Sequence, residues 1–174
     1  MVKLHLGCGS KHIDGYVNID IRYLPGVDEV NNVRFLRNYK INSVDEIYCC
    51  HTLEHFGRWE YKEVLKRWFD ILKPDGIMRL AVPNFKSICE YYTKTNDLKS
   101  LMGLLYGGQD YDENFHYMTF DFELLKSDLT EIGFTKVGLW DNNHFEIDDF
   151  SKSYLPHMDS KNGLLMSLNI YGIK

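Results

Sequence analysis

LHLGCGSKHIDGYVNIDI, residues 4–21, is the stretch that decides how the rest of the chain is read. An apolar run ends in two glycines flanking a cysteine, and Asp20 follows eleven residues after Gly9. Residues 2–6 read as a first strand, and residues 16–21 as a short second strand rich in β-branched side chains. Between them, Gly7 and Gly9 allow a sharp backbone turn and a close approach to a ligand with no Cβ in the way. A dinucleotide site would add a third glycine three residues on and an acid about 20 residues beyond the glycines. Here the third position is His12, Asp20 comes early, and little chain remains for a long helix before Tyr16. A Gly-Lys-Ser/Thr phosphate loop is also missing. A pyrophosphate ligand is therefore disfavoured, and a smaller nucleoside with a ribose to hold is better matched.

Working outward, residues 27–33 form a weaker third strand, and residues 47–50 a fourth that ends in His51. Residues 58–72 form an amphipathic helix: Tyr61, Val64, Leu65, Trp68, Phe69 and Leu72 recur at three- and four-residue spacing. It stops at Lys73-Pro74-Asp75-Gly76, which a helix cannot cross. Residues 77–82 read as strand five, 87–95 as helix, 106–116 as loop, and 122–132 as a helix capped by Gly133. Residues 135–140 and 165–171 are the last two strands. Alternating strands and helices indicate a parallel sheet covered on both faces. Such sheets bind ligands beyond the carboxyl ends of their strands, and Gly7, Asp20, Asn32 and His51 each stand at a strand end.

The chain has 174 residues, 44% hydrophobic and 26% charged, which fits one soluble domain, residues 1–174. Aromatic residues reach 14%, enough for a filled core and an aromatic-lined pocket. A net charge of −5 argues against a broad phosphate-binding surface, so no nucleic-acid partner is expected. Cys8, Cys49, Cys50 and Cys89 fit neither a disulfide framework nor a paired zinc site. No apolar run reaches the roughly 18 residues of a membrane span, so no membrane partner is expected, and the plain reading is a cytoplasmic protein. The run Cys49-Cys50-His51-x3-His55 invites a metal reading. Adjacent residues of a strand point to opposite faces, however, so no metal site is expected there.

Five segments taken in order resemble a known family, the class I S-adenosylmethionine-dependent methyltransferases, and most of all its small bacterial and phage members. They are LHLGCGS (4–10), VNIDI (17–21), SVDEIYCCHTLEHF (43–56), LKPDGIMRLAVPNF (72–85) and LLKSDLTEIGF (124–134). The resemblance implies a Rossmann-like α/β three-layer sandwich. Its mostly parallel seven-stranded sheet would carry a C-terminal antiparallel strand. It implies S-adenosyl-L-methionine as cofactor. Leu6, Gly7, Cys8, Gly9 and Ser10 would hold its methionine portion, and Asp20, followed by Ile21, would accept from both ribose hydroxyls. Relatives often place an acid against the adenine amino group. The matching residue is Asn32, followed by Val33, and an amide can accept through its carbonyl. Cys50, His51 and Leu53 would pass beside the sulfonium and adenosine, while Glu54 and His55 would mainly hold the turn.

The resemblance also places acceptor contacts in residues 82–85 and 106–121. His116 is the leading base candidate, because a neutral imidazole can take a hydroxyl proton near pH 7. His51 is the second catalytic candidate. Gln109, Tyr111 and Tyr117 would shape the pocket, and Gly107-Gly108 suggests a mobile lid. Strand four lacks the Asn/Asp-Pro-Pro-Tyr/Phe motif of enzymes that methylate base amines, which argues against a DNA acceptor. The resemblance to small family members implies instead a small, hydroxylated acceptor such as a sugar or metabolite. Two rivals stand beside this reading. One is a nicotinamide-dependent oxidoreductase. The other is a cofactor-binding, methyltransferase-like partner subunit without catalysis.

Overall fold

The structure, a computed structural model, describes residues 1–141, 143, 149–157 and 160–174, without the side chains of residues 157 and 160–162. In chain order its strands are β1 (Lys3–Leu6), β2 (Val17–Asp20), β3 (Glu29–Val30), β4 (Val44–Cys50), β5 (Leu72–Pro83), β6 (Lys136–Leu139), β7 (Tyr154–His157), β8 (Ser160–Leu165) and β9 (Ser167–Ile173). The helices are α1 (Tyr61–Ile71), α2 (Phe85–Thr95), α3 (Met102–Tyr106) and α4 (Phe122–Ile132). Seven strands form one sheet in the order β3-β2-β1-β4-β5-β9-β6, and β7-β8 is a separate hairpin. Every neighbouring pair from β3 to β5 is parallel. The last strand, β9, runs antiparallel to both β5 and β6. The mostly parallel α/β sheet with an antiparallel C-terminal strand is thus present, flanked by helices.

Strand alternation divides the sheet into two unlike faces. On the first, Leu4, Leu6, Ile19, Ile47, Cys49, Met78, Leu80, Val82, Leu168 and Ile170 join one buried cluster with residues of α1 and α4. The recurring apolar positions of α1 supply Tyr61, Val64, Leu65, Trp68 and Ile71 to it. Trp68 has no exposed surface, and its indole N–H is satisfied by the Val33 carbonyl at 2.8 Å. Asp121 caps α4 by accepting from the Leu124 amide at 2.8 Å, and Gly133 ends it at φ +124.

The second face carries His5, Asn18, Glu46, Tyr48, Arg79 and Asn169. Glu46 pairs with Lys3 at 3.0 Å and with Arg79. His5 bonds Asn18 at 3.0 Å, and the Tyr48 hydroxyl donates to Asp149. Ile13, Tyr16 and Trp140 pack against its small apolar cluster, Tyr48, Cys50 and Ala81. Cys49 and Cys50 therefore do point to opposite faces, as strand alternation requires.

Several boundaries moved. The third strand shrinks from residues 27–33 to two residues, because Asn32 accepts from the Arg34 amide at 2.9 Å and turns the chain away. The helix read over 58–72 begins only at Tyr61, after a turn whose Tyr61 amide donates to the Gly57 carbonyl at 3.1 Å. Lys73–Gly76 is a turn, with Asp75 at φ +62, yet it lies inside β5 as an irregularity opposite Asp45: Val44 pairs with Leu72 and Glu46 with Ile77. Helix α3 and the β7-β8 hairpin have no counterpart in the sequence reading. They close over α2 in a third apolar cluster: Ile88, Tyr91, Leu101 and Met166, with Leu104, Leu105, Leu155 and Leu164 against them.

Candidate functional site

The register of the central strands builds one rim. Leu6 lies opposite both Ile19 and Cys49, so β1, β2 and β4 end at nearly the same level. Gly7, Asp20 and His51 emerge together there, and Asn32 follows two residues after the end of β3. The Gly9 amide donates to Asp20 Oδ2 at 2.8 Å, joining the glycine bend to the carboxylate. Arg22 donates to Asp20 Oδ1 through its amide at 2.9 Å and its Nε at 3.0 Å. Gly9 needs glycine for its φ of +54. Gly7 needs it for another reason: at φ +64, a Cβ there would stand 2.0 Å from Thr52 Oγ1. That glycine serves the packing of the first turn against the turn after β4.

Two chambers open on this rim. The larger, about 690 Å³, is lined by Gly7, Cys8, Gly9, Ser10, Cys50, His51, His55 and His116 among others. The smaller, about 280 Å³, is lined by Gly7, Asp20, Ile21, Asn32, Val33, His51, Thr52, His55 and Tyr117 among others. Gly7, Arg22, His51, His55 and Tyr111 line both. Between the chambers the Arg22 guanidinium lies 4.3 Å from the centre of the Tyr111 ring.

Most candidate residues therefore converge. Leu6 and Leu53 do not: their side chains are fully buried in the core, so any ligand contact would come from their backbone. Residues 82–85 and Gln109 line neither chamber, and Gln109 donates to the Tyr106 carbonyl at 3.2 Å. The loop after α3 is folded on itself, with Gln109 N–H to Asn114 O at 2.9 Å and His116 N–H to Tyr106 O at 3.1 Å. A Cβ at Gly107 would stand 2.4 Å from the Asn114 carbonyl oxygen, so close packing explains that glycine without a moving lid. Arg22 was missed from sequence. Only its place two residues after Asp20 hinted at it.

Beneath the junction of the chambers lies Glu54, in the short helical turn Leu53–His55 that follows β4. It is fully buried, and neither carboxylate oxygen has a hydrogen-bond partner. His51 Nδ1 stands 3.4 Å and His116 Nε2 3.8 Å from its Oε1. His51 takes a left-handed backbone, φ +49, an uncommon state for a residue with a Cβ. Burial pushes the Glu54 carboxyl up to about 8 and the His51 imidazole down to about 3. Burial also lowers His55 and His116, partly opposed by the carbonyls they bond. Near neutral pH this cluster holds little net charge. Cys8 is pushed up to about 12 by burial and by Asp20, so it is a thiol.

No protein-family model matches the chain, and no curated protein sequence does. Solved structures do. A SAM-dependent methyltransferase from Archaeoglobus fulgidus superposes with a TM-score of 0.60 at 16% identity, covering 99% of this chain and 85% of that one. A 1,6-didemethyltoxoflavin-N1-methyltransferase from Burkholderia thailandensis, solved with bound 1,6-didemethyltoxoflavin and S-adenosylhomocysteine, gives a TM-score of 0.60 at 16% identity, covering 99% of this chain and 70% of that one. The fold is that of the SAM-dependent methyltransferases. A Haloferax volcanii methyltransferase in complex with its activator Trm112 shares it too, with a TM-score of 0.59, 13% identity and coverage of 99% and 81%. On this fold the rim just described lies beyond the carboxyl ends of the parallel strands, where open α/β sheets bind ligands. Among the described residues, no helix is long and apolar enough to cross a membrane.

Proposed function

We propose that this protein is an S-adenosylmethionine-dependent methyltransferase acting on a small hydroxylated acceptor, a sugar or metabolite. The observation that carries the reading is the bond from Gly9 to Asp20 beneath a two-chambered cleft on the sheet rim. When bound, S-adenosylmethionine supplies a methyl group activated on a sulfonium. The residues present suit it. The backbone of residues 7–10 would hold its amino-acid end. Asp20 lines the smaller chamber, and a carboxylate has about four lone-pair sites, so beyond the three donors it already meets one site remains for a ribose hydroxyl. Ile21 and Val33 would flank the adenine. Asn32 keeps one carbonyl lone pair after its bond to the Arg34 amide.

The acceptor would occupy the larger chamber, which Leu104, His116 and Phe150 help to line. Holding both reactants in line is the main contribution of the protein to a displacement of this kind. His116 donates from Nδ1 to the Leu104 carbonyl at 2.9 Å, which leaves a lone pair on Nε2 to accept the hydroxyl proton. His51 bonds Ser167 at 3.4 Å and lies against Glu54, and acts as a positioning residue.

Isothermal titration with S-adenosylhomocysteine tests the cofactor half, with saturable 1:1 binding expected. Transfer of labelled methyl to a panel of sugars, phenols and carboxylates tests the acceptor half. Absence of binding overturns the reading. Binding with no transfer to any acceptor favours the non-catalytic partner subunit.

A further inference from the structure

We infer that Glu54, His55 and His116 form a binding site for a divalent transition-metal ion, reached from the junction of the two chambers. They are the group of this kind found among the described residues: one ligand atom from each lies within 4.8 Å of the others. The inference does not depend on the methyl-transfer reading.

The hydrogen bonds around the cluster fix where its lone pairs lie. A backbone carbonyl can only accept. His55 Nδ1 is 3.0 Å from the Phe115 carbonyl, so Nδ1 carries the proton and Nε2 carries the lone pair. His116 repeats this with the Leu104 carbonyl at 2.9 Å. The two rings meet edge to face with centroids 4.8 Å apart. Metal-bound histidines usually show this arrangement: one ring N–H given to a carbonyl or carboxylate, the other nitrogen given to the metal. Glu54 supplies the third donor, and its oxygens have no hydrogen-bond partner although they are fully buried. Buried polar atoms without partners are rare in native proteins, and a missing ion is one recognised reason.

The fourth neighbour sharpens the case. Ser167 Oγ donates to Asn169 Oδ1 at 2.8 Å, and so it accepts from His51 Nε2. That leaves the lone pair of His51 Nδ1 facing Glu54 Oε1 at 3.4 Å. Lone pairs gathered at one buried place repel unless a cation lies among them, either a metal ion or a proton. Two imidazoles and one carboxylate suit zinc, ferrous iron and their first-row neighbours better than magnesium or calcium. The chambers above would leave coordination positions open to small molecules.

A metal ion and a catalytic base would use the same Nε2 of His116. Metal loading therefore replaces the base role, and a bound ion would instead polarise an acceptor oxygen in the larger chamber.

The test uses the full chain stripped with chelator, then titrated with Zn²⁺ and with Co²⁺. The expected result is one ion per chain, a rise in Tm on loading, and cobalt visible bands without a thiolate charge-transfer band. His116→Ala and Glu54→Gln should each weaken Zn²⁺ binding at least tenfold, while Cys89→Ser, an exposed thiol, should not. Should either variant fail to fold, as judged by circular dichroism, His55→Gln takes its place. Three results would overturn the site: no saturable binding, binding unchanged in the folded variants, or a cobalt–thiolate band. The first would leave a shared proton between Glu54 and His51 as the cation. S-adenosylhomocysteine titration of the same ion-free and loaded samples keeps failure of the metal site distinct from failure of the cofactor reading.

Discussion

The two faces of the sheet come from alternate residues of the same strands, yet they do different work. Leu4, Leu6 and Ile19 enter the hydrocarbon cluster under α1 and α4, while His5, Asn18 and Asp20 take the intervening positions. Both sets are buried. The first face gains stability from area removed from water and is tolerant of what lies beyond it. The second is held by directional bonds: Lys3 and Arg79 to Glu46, His5 to Asn18, Tyr48 to Asp149, Asn169 to Ser151. Directional bonds fix positions, and two of the groups fixed here, His5 and Asp149, line the larger chamber. Stability and site geometry are thereby lodged on opposite sides of a single layer, and mutations should separate them.

The largest expected effect is on the apolar face. Trp68→Ala should cost roughly 3 to 5 kcal/mol of stability through cavity formation and a stranded Val33 carbonyl. Urea denaturation measures it. Because Trp68 also holds the Val33 backbone beside the smaller chamber, affinity for S-adenosylhomocysteine well below the transition should fall, but less than in Asp20→Ala; an equal or larger fall would break the division of labour. Asp20→Ala is the converse. It should weaken cofactor binding by about 1.5 to 3 kcal/mol, roughly ten- to 150-fold in Kd, with a smaller loss of stability than Trp68→Ala. An unchanged Kd would remove Asp20 from the site.

Asp121→Ala removes the cap of α4 on the apolar side and should cost about 1 kcal/mol in the same urea experiment, without touching affinity. The smallest effect concerns pH. Burial lowers the pKa of His5 from the ordinary 6.5, so the folded protein binds fewer protons there than the unfolded chain does. The stability tied to neutral His5 is complete above about pH 6.5 and is lost as pH falls toward its lowered folded value. His5→Phe keeps a ring against Tyr48 and should make the fall in Tm between pH 7 and 5 shallower. His51, His55 and His116, lowered in the same way, retain the rest of that slope. A slope unchanged by His5→Phe would show that His5 does not share in it.

Much of the architecture follows from neighbours in sequence. The periodicity of α1, the Asp121 and Gly133 caps of α4, the turn at Lys73–Gly76 and the alternation of β1, β2 and β4 are local properties. They act through backbone dihedrals and side-chain direction, so the chain alone fixes them. The glycine bend and Asp20 share a rim for the same reason, since two short parallel strands with matched apolar residues allow one register. Other features depend on partners far along the chain. Gly7 is glycine because of Thr52, and Leu6 and Leu53 sink into the core instead of the cleft. Hairpin β7-β8 and α3 close over α2 through contacts that local pattern does not encode. Glu54 meets His116 only because the Tyr117 amide, from beyond the loop after α3, donates to the Glu54 carbonyl at 2.8 Å. The gathering of lone pairs at that point is a property of three-dimensional packing, because only the folded chain strips water from all of these groups at once.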